Sequence, residues 1–419
     1  TSTISLTDPL GSAGAPVFVN SSGEYKIYSS DGLSYVVVHV HMSTPPPIDM
    51  TVTLHGFDEI SDSALWVCRG MFSNSLGYVI GHVDGDQWVP TVIDKRTTGT
   101  VDNTIISENI LERYIYMKKN KVRILIVGGT GFIGYHLAKK CLNLGWSVII
   151  FAIHKPKRIR KLNRVKYLVG NLYNKETLKK IDLNFDYVIN LGGYVDHINK
   201  KETFNTHYNG CRNLVRIFKK KNIKLFIQIG SSTEYGNLKS PHGENFKCNP
   251  KSIYGRPKYL ATKFLLGEYN KNKFPCTILR LYQVFGPRQD NNRLIPIVIN
   301  SFLKGLTLPC SDGKQYKDFL HVDEVVKAII LTIKSKKVLG EIINIGSGKI
   351  INVRWLINFL KKEIKKGKPE FGKLKTRKDE NIKVYPNILK AKKILNWKPK
   401  KNLIKELKKQ IKFHKSNSF

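Results

Sequence analysis

The 419-residue chain has six cysteines, and no two of them form a CxxC pair. Thiols dispersed at Cys68, Cys141, Cys211, Cys248, Cys276 and Cys310 argue against a disulfide framework or a cysteine zinc site and suit a reducing compartment. No apolar run approaches the ~20 residues of a membrane-spanning helix. The opening stretch TSTISLTDPLGSAGAPVFVN has neither the basic start nor the apolar centre of a signal peptide. A cytoplasmic protein without membrane contact is therefore expected. Acidic residues are scarce too, and unevenly so. The 116 residues before Met117 carry 13 Asp+Glu against 5 Lys+Arg, whereas everything after carries 19 against 65. That asymmetry marks a boundary near Met117. The lysines of the basic part are scattered over predicted helix surfaces, as in KKEIKKGK and KELKKQIKFHK, without interleaved aromatics. Nucleic acid is not the expected partner, although such a field would draw in a diphosphate-bearing small molecule.

Up to residue 104 the pattern is short β-branched and aromatic runs, such as YKIYS, SYVVVHVHM and GYVIGHV, broken by SSDG, STPPP and DGDQ. This predicts a separate all-β, sandwich-like module of unknown role, joined by a linker over 105–116. His39 and His41 alternate on one strand, but nothing fixes a third ligand and no metal site is expected.

From Met117 the pattern changes. RILIV is an unbroken apolar strand of the kind buried on both faces of a parallel sheet. Gly129-x-Gly131-x-x-Gly134 follows, leading into a helix whose Ile133, Leu137, Cys141 and Leu144 share a face. Such a turn brings backbone N–H groups up to a pyrophosphate at the positive end of the helix. About twenty residues on, an acid would normally bind the ribose 2′-hydroxyl of NAD. That place falls near Ala152, no acid stands there, and His154, Lys155, Lys157 and Arg158 follow. These cations favour NADP, with NAD as the alternative. Further strands, VKYLV, FDYVIN and IKLFIQIG, alternate with helical segments and predict an α/β, Rossmann-like doubly wound parallel sheet. A dinucleotide-binding domain is expected over 117–284, with 285–419 mostly a small C-terminal substrate domain.

In SIYGRPKYLATKF, Tyr254 and Lys258 are four positions apart and share a helix face. An ammonium beside a phenol favours the phenolate and would lower its pKa. Together with GGTGFIG, GSSTEYG, LRLYQVFGPRQ and INIGSG, this segment resembles the extended short-chain dehydrogenase/reductase family of nucleotide-sugar epimerases, dehydratases and 4-ketoreductases. The resemblance covers residues 117–419.

It implies that Tyr254 is the acid/base and that Lys258 holds the nicotinamide ribose and tunes Tyr254, with Ser231 bonding the reacting sugar oxygen. It also implies a cofactor cradle of Gly128, Gly129, Gly131, Phe132, Ile133 and Gly134. Asn171 is implied to bond adenine through its amide oxygen, and Leu172, Leu191, Gly192 and Gly193 are implied as further cofactor-binding residues. The Asp-Glu pair with which dehydratases eliminate water is replaced by Ser232 and Thr233, expected instead to touch substrate. Arg293 and Lys317 are expected on the substrate diphosphate.

The resulting expectation is an enzyme that reduces a 4-keto-6-deoxy nucleotide sugar with NADPH in surface-polysaccharide synthesis. An NAD-dependent 4-epimerase is the alternative, and a non-catalytic NADP- or RNA-binding scaffold is the alternative of another class. A homodimer is usual in such a family.

Overall fold

Strand β1 (Arg123–Val127) shows how the central sheet is built. Ile124 and Ile126 project into one hydrophobic cluster, while Leu125 and Val127 project into another on the opposite face. The same alternation recurs in β2 (Ser147–Ala152), where Val148 and Ile150 face one way and Ile149 and Phe151 the other. Period-two alternation with both faces apolar requires a sheet covered on both sides. This one is covered. Helices α1 (Phe132–Asn143) and α5 (Val322–Lys334) close the first face. Helices α2 (Gly210–Phe218) and α3 (Gly255–Asn272) close the second.

The remaining strands are β3 (Lys166–Val169), β4 (Tyr187–Asn190), β5 (Leu225–Ser231), β6 (Cys276–Leu281) and β7 (Ile342–Ile345). Their order is β3-β2-β1-β4-β5-β6-β7, and every neighbour runs parallel. The reversal of strand order between β1 and β4 marks the switch point at the carboxyl ends of the strands, where open α/β sheets bind ligands. The Rossmann-like parallel sheet is thus the observed fold. One helix expectation is corrected: Leu137 and Cys141 are fully buried, but Leu144 is 37% exposed, because α1 ends at Asn143 and Leu144 has turned out of its apolar face.

A third cluster forms around α4 (Leu294–Leu303), α6 (Val353–Ile364) and α7 (Leu403–Ser416), with Ile299, Phe302, Leu356, Leu360 and Leu407 at its centre. The chain does not leave the main sheet for good at this point. Val325, Ile329, Ile343, Ala391, Leu395 and Trp397 all belong to the same apolar cluster as Ile124 and Ile227.

The fold was read from a computed structural model, which describes residues 122–416 apart from 183, 194–198 and 376–380. Earlier in the chain it describes only backbone strands, among them Leu65–Phe72, Ser75–Asp84 and Gln87–Arg96, paired antiparallel. The expected sandwich packing, the His39 and His41 side chains and the linker at 105–116 lie outside the described residues. By backbone contacts the chain divides into two units, Thr1–Asn120 and Lys121–Phe419. Among the described residues no helix is long and apolar enough to cross a membrane.

Candidate active site

The glycine turn between β1 and α1 is dictated by close approach. Gly128 has φ +73, and a Cβ there would stand 2.8 Å from the backbone of Leu191 and Gly192. At Gly134 a Cβ would lie 2.5 Å from the Cα of Gly129, so helix and turn can touch only through glycine. Gly128 donates to the Phe151 carbonyl at 2.7 Å, and Gly131 donates back to Gly128 at 3.0 Å. Gly131 caps α1 without a side-chain bond, and no acid occupies the first turn, which Phe132 and Ile133 begin. The N-terminus of α1 thus meets the turn with no acid in its own first turn, an arrangement that fits the pyrophosphate of a dinucleotide.

Beside this turn, Gly192 N–H donates to Asn190 Oδ1 at 3.1 Å, and Asn190 is itself held by Gln228 at 2.8 Å. Leu172 is buried against Gly192 and Gly210. Asn171 closes an Asx turn, its Oδ1 accepting from Tyr173 N–H at 3.2 Å, so the amide oxygen expected to meet adenine already holds one bond. On the loop after β2, His154, Lys155 and Arg158 are all exposed. Arg160 on the same loop is 4% exposed; it donates to the Arg288 carbonyl and pairs with Asp290 at 3.0 Å.

Two strands away, β5 ends at Ser231, whose side chain caps the short turn Ser232–Tyr235. Ser231 Oγ accepts from Thr233 Oγ1 at 2.9 Å and from Thr233 N–H at 3.2 Å. Ser232 is buried and Thr233 half-buried. Tyr254 stands at the head of α3 with Lys258 one turn further on. Lys258 is buried, and its ammonium donates to the Ile229 carbonyl at 2.7 Å while lying 5.9 Å from the Tyr254 ring centre. Here the structure departs from expectation. Burial pushes the Tyr254 phenol up to about 12, against the lowering field of Arg293 and with the raising field of Glu234. Burial pulls Lys258 down to about 8, opposed by Glu234. Desolvation acts on both groups and outweighs the attraction that would lower the phenol.

Arg293 caps α4 and acts on the Tyr254 phenol, which brings it into the site. Lys317 donates to the Asn381 carbonyl at 3.1 Å. Four neighbours of the site were not singled out in the sequence. Glu234, fully buried, accepts from Ser231 N–H, Thr262 Oγ1 and Arg280 Nε at 2.8, 2.7 and 2.9 Å. His207 lies on a π-turn, Asn205–Asn209, and sets its ring edge-on to Tyr254 with centres 5.0 Å apart. A Cβ on Gly193 would fall 2.3 Å from that imidazole. Arg280 was legible in principle, because an arginine inside the apolar run TILRL demands a buried partner. His207 gave no signal, since the π-turn interrupts the helical register there.

A family model described as the NAD dependent epimerase/dehydratase family matches residues 124–346. A bifunctional UDP-glucose 4-epimerase and UDP-xylose 4-epimerase of Pisum sativum is 26% identical over 351 residues, spanning 72% of this chain and 98% of the relative. The crystal structure of a UDP-glucose 4-epimerase with UDP-glucose from Thermotoga maritima superposes with a TM-score of 0.67 at 26% identity. It covers 71% of this chain and 99% of that one. A UDP-glucuronic acid 4-epimerase from Bacillus cereus, in complex with UDP-glucuronic acid and NAD, shares the fold with a TM-score of 0.65. Its identity is 24%, over 71% of this chain and all of that one.

Proposed function

This chain belongs to the NAD dependent epimerase/dehydratase family, and from that premise we propose that it is a nucleotide-sugar 4-epimerase acting on a UDP-hexose with a retained nicotinamide dinucleotide. The observation that supports the reading is the buried Lys258 ammonium, 5.9 Å from the Tyr254 ring centre and bonded to the Ile229 carbonyl two residues before Ser231; among the described residues the acid of the Ser231 turn, Glu234, is already committed. Elimination of water needs a free carboxyl group next to Ser231. Positions 232 and 233 supply hydroxyls, and Glu234 is occupied by three donors. Dehydration is therefore disfavoured, and oxidation followed by reduction at one carbon remains. The sequence relatives named as UDP-glucose 4-epimerases support inversion at that carbon, ahead of the 4-ketoreductase expected from the sequence.

In this reading Tyr254 takes the proton of the sugar 4-hydroxyl and later returns it to the oxygen on the inverted carbon. A nicotinamide dinucleotide held at the glycine turn would supply reversible hydride transfer at that carbon, with no net consumption. Ser231, whose oxygen already accepts two bonds from Thr233, offers its own O–H to the sugar oxygen. A phenol pushed up to about 12 rests protonated and needs cationic help to serve as base. Arg293 is the cation that lowers it. NMR of UDP-glucose and UDP-galactose incubated with the protein and NAD tests the reading. The expected result is inversion at C4, without net change in nicotinamide absorbance, abolished by Tyr254→Phe. No interconversion of any UDP-, GDP- or CDP-hexose would refute it.

The exposed cations His154, Lys155 and Arg158, with no acid after β2, support a second reading, the NADPH-dependent 4-ketoreductase. Stoichiometric loss of NADPH with a 4-keto-6-deoxy nucleotide sugar would favour it over the epimerase.

A further inference from the structure

A buried ion pair stabilises no better than well-packed apolar residues of similar volume, so Glu234 and Arg280 call for another reason. Both are at most 1% exposed, and Arg280 is the penultimate residue of β6, with Glu234 in the turn after β5. The two carboxylate oxygens are divided in an informative way. Oε1 takes the N–H of Ser231 at 2.8 Å. Oε2 takes Arg280 Nε at 2.9 Å and the hydroxyl of Thr262 at 2.7 Å, and Thr262 lies one turn beyond Lys258 on α3.

We infer that Glu234 is a positioning residue of the active site, fixing the Ser231 hydroxyl on one element against the Tyr254 and Lys258 pair on another. Arg280 holds the carboxylate charged and in place, because each of its oxygens then accepts from a fixed donor. Catalytic groups act only when held within about 0.5 Å of productive geometry, and these reach the site on two separate elements, the end of β5 and the head of α3. Glu234 is the side chain that bonds both. It also contributes charge: it is the leading group that opposes the effect of burial on Lys258, with Cys211 acting in the same sense.

The inference rests on the proposed roles of Ser231, Tyr254 and Lys258, and two variants of the full-length protein test it. Glu234→Gln keeps the shape and an accepting oxygen but removes the charge. The expected result is a fall in kcat of about tenfold or more with sugar KM within about twofold. The alkaline limb of the kcat profile moves to lower pH. Thr262→Val cuts only the tie to α3, and a several-fold loss of kcat is expected with the limb unmoved. Folded variants with wild-type kcat and an unmoved limb would overturn the inference. Should Glu234→Gln not fold, wild-type kcat in Thr262→Val overturns it alone. A wild-type protein that turns over no nucleotide sugar would refute the epimerase reading separately. Glu234 is then judged by NAD(H) binding against pH, and a dependence identical in wild type and Glu234→Gln would sink it.

Discussion

Gly134 and Gly267 both lie inside helices, and alanine is expected to act oppositely at the two. At Gly134 the new methyl group would stand 2.5 Å from the Cα of Gly129 and 2.8 Å from the Gly128 carbonyl oxygen. Carbon atoms in good contact sit about 3.5–4.0 Å apart, so about 1 Å must be found, and the atoms in the way are backbone. Overpacking of this kind costs about 1–3 kcal/mol, and here it also pries the helix N-terminus from the turn that would hold the pyrophosphate. At Gly267, in α3, nothing lies within 4 Å of the added carbon. Alanine there removes the entropy penalty of a mid-helix glycine and stabilises by about 0.5–1 kcal/mol. The assay is urea unfolding of the full chain with and without saturating NAD, alongside a fluorescence titration of NAD(H). Gly134→Ala should lose stability and bind the dinucleotide at least about tenfold more weakly, which corresponds to about 1.4 kcal/mol. Gly267→Ala should gain stability at unchanged affinity. Wild-type affinity in Gly134→Ala would refute the argument that close backbone approach builds the site.

Other outcomes follow from the same contacts. Lys258, held at about 8 when folded and about 10.4 when unfolded, binds its proton less tightly in the native state. Stability should therefore rise between those pH values, by up to about 3 kcal/mol. Urea melts at pH 7 and 9.5 should show the rise in wild type and lose it in Lys258→Met; identical trends would contradict the burial argument. Leu214→Ala, on the fully buried face of α2, should cost about 2–5 kcal/mol, measured as a lowered urea midpoint. Ser231→Ala should reduce kcat by about a hundredfold with little change in NAD(H) affinity, read by steady-state kinetics and titration.

The sheet was legible because its strands carry continuous apolar runs and its turn a spaced set of glycines, two local signals that survive in a bare sequence. Tyr254 and Lys258 were legible for a similar reason, since a four-residue spacing becomes a shared face as soon as a helix is assumed. The direction of the Tyr254 shift was not. Spacing reveals that an ammonium is near, but how much water surrounds both groups is decided by elements distant in sequence, among them β5 at Ile229 and the turn that carries His207. Glu234 was hidden because it bonds Thr262 and Arg280, 28 and 46 residues away. The missing acid near Ala152 speaks for NADP, whereas the Bacillus cereus 4-epimerase of the same fold is in complex with NAD.

The return of the chain to the main sheet limits how this enzyme can be taken apart. Strand β7, helix α5 and the indole of Trp397 complete the apolar cluster that Ile124 and Ile227 begin, and all three lie beyond residue 320. A dinucleotide-binding half cut at residue 285 would lack one edge strand and half the cover on one face, so it could not be lent to a different substrate-binding half by simple exchange. Change of function has to arise within the intact fold, by substitution in place. Recombination between relatives would respect the boundary between the sheet and the third apolar cluster only if it carried over several discontinuous pieces of chain at once.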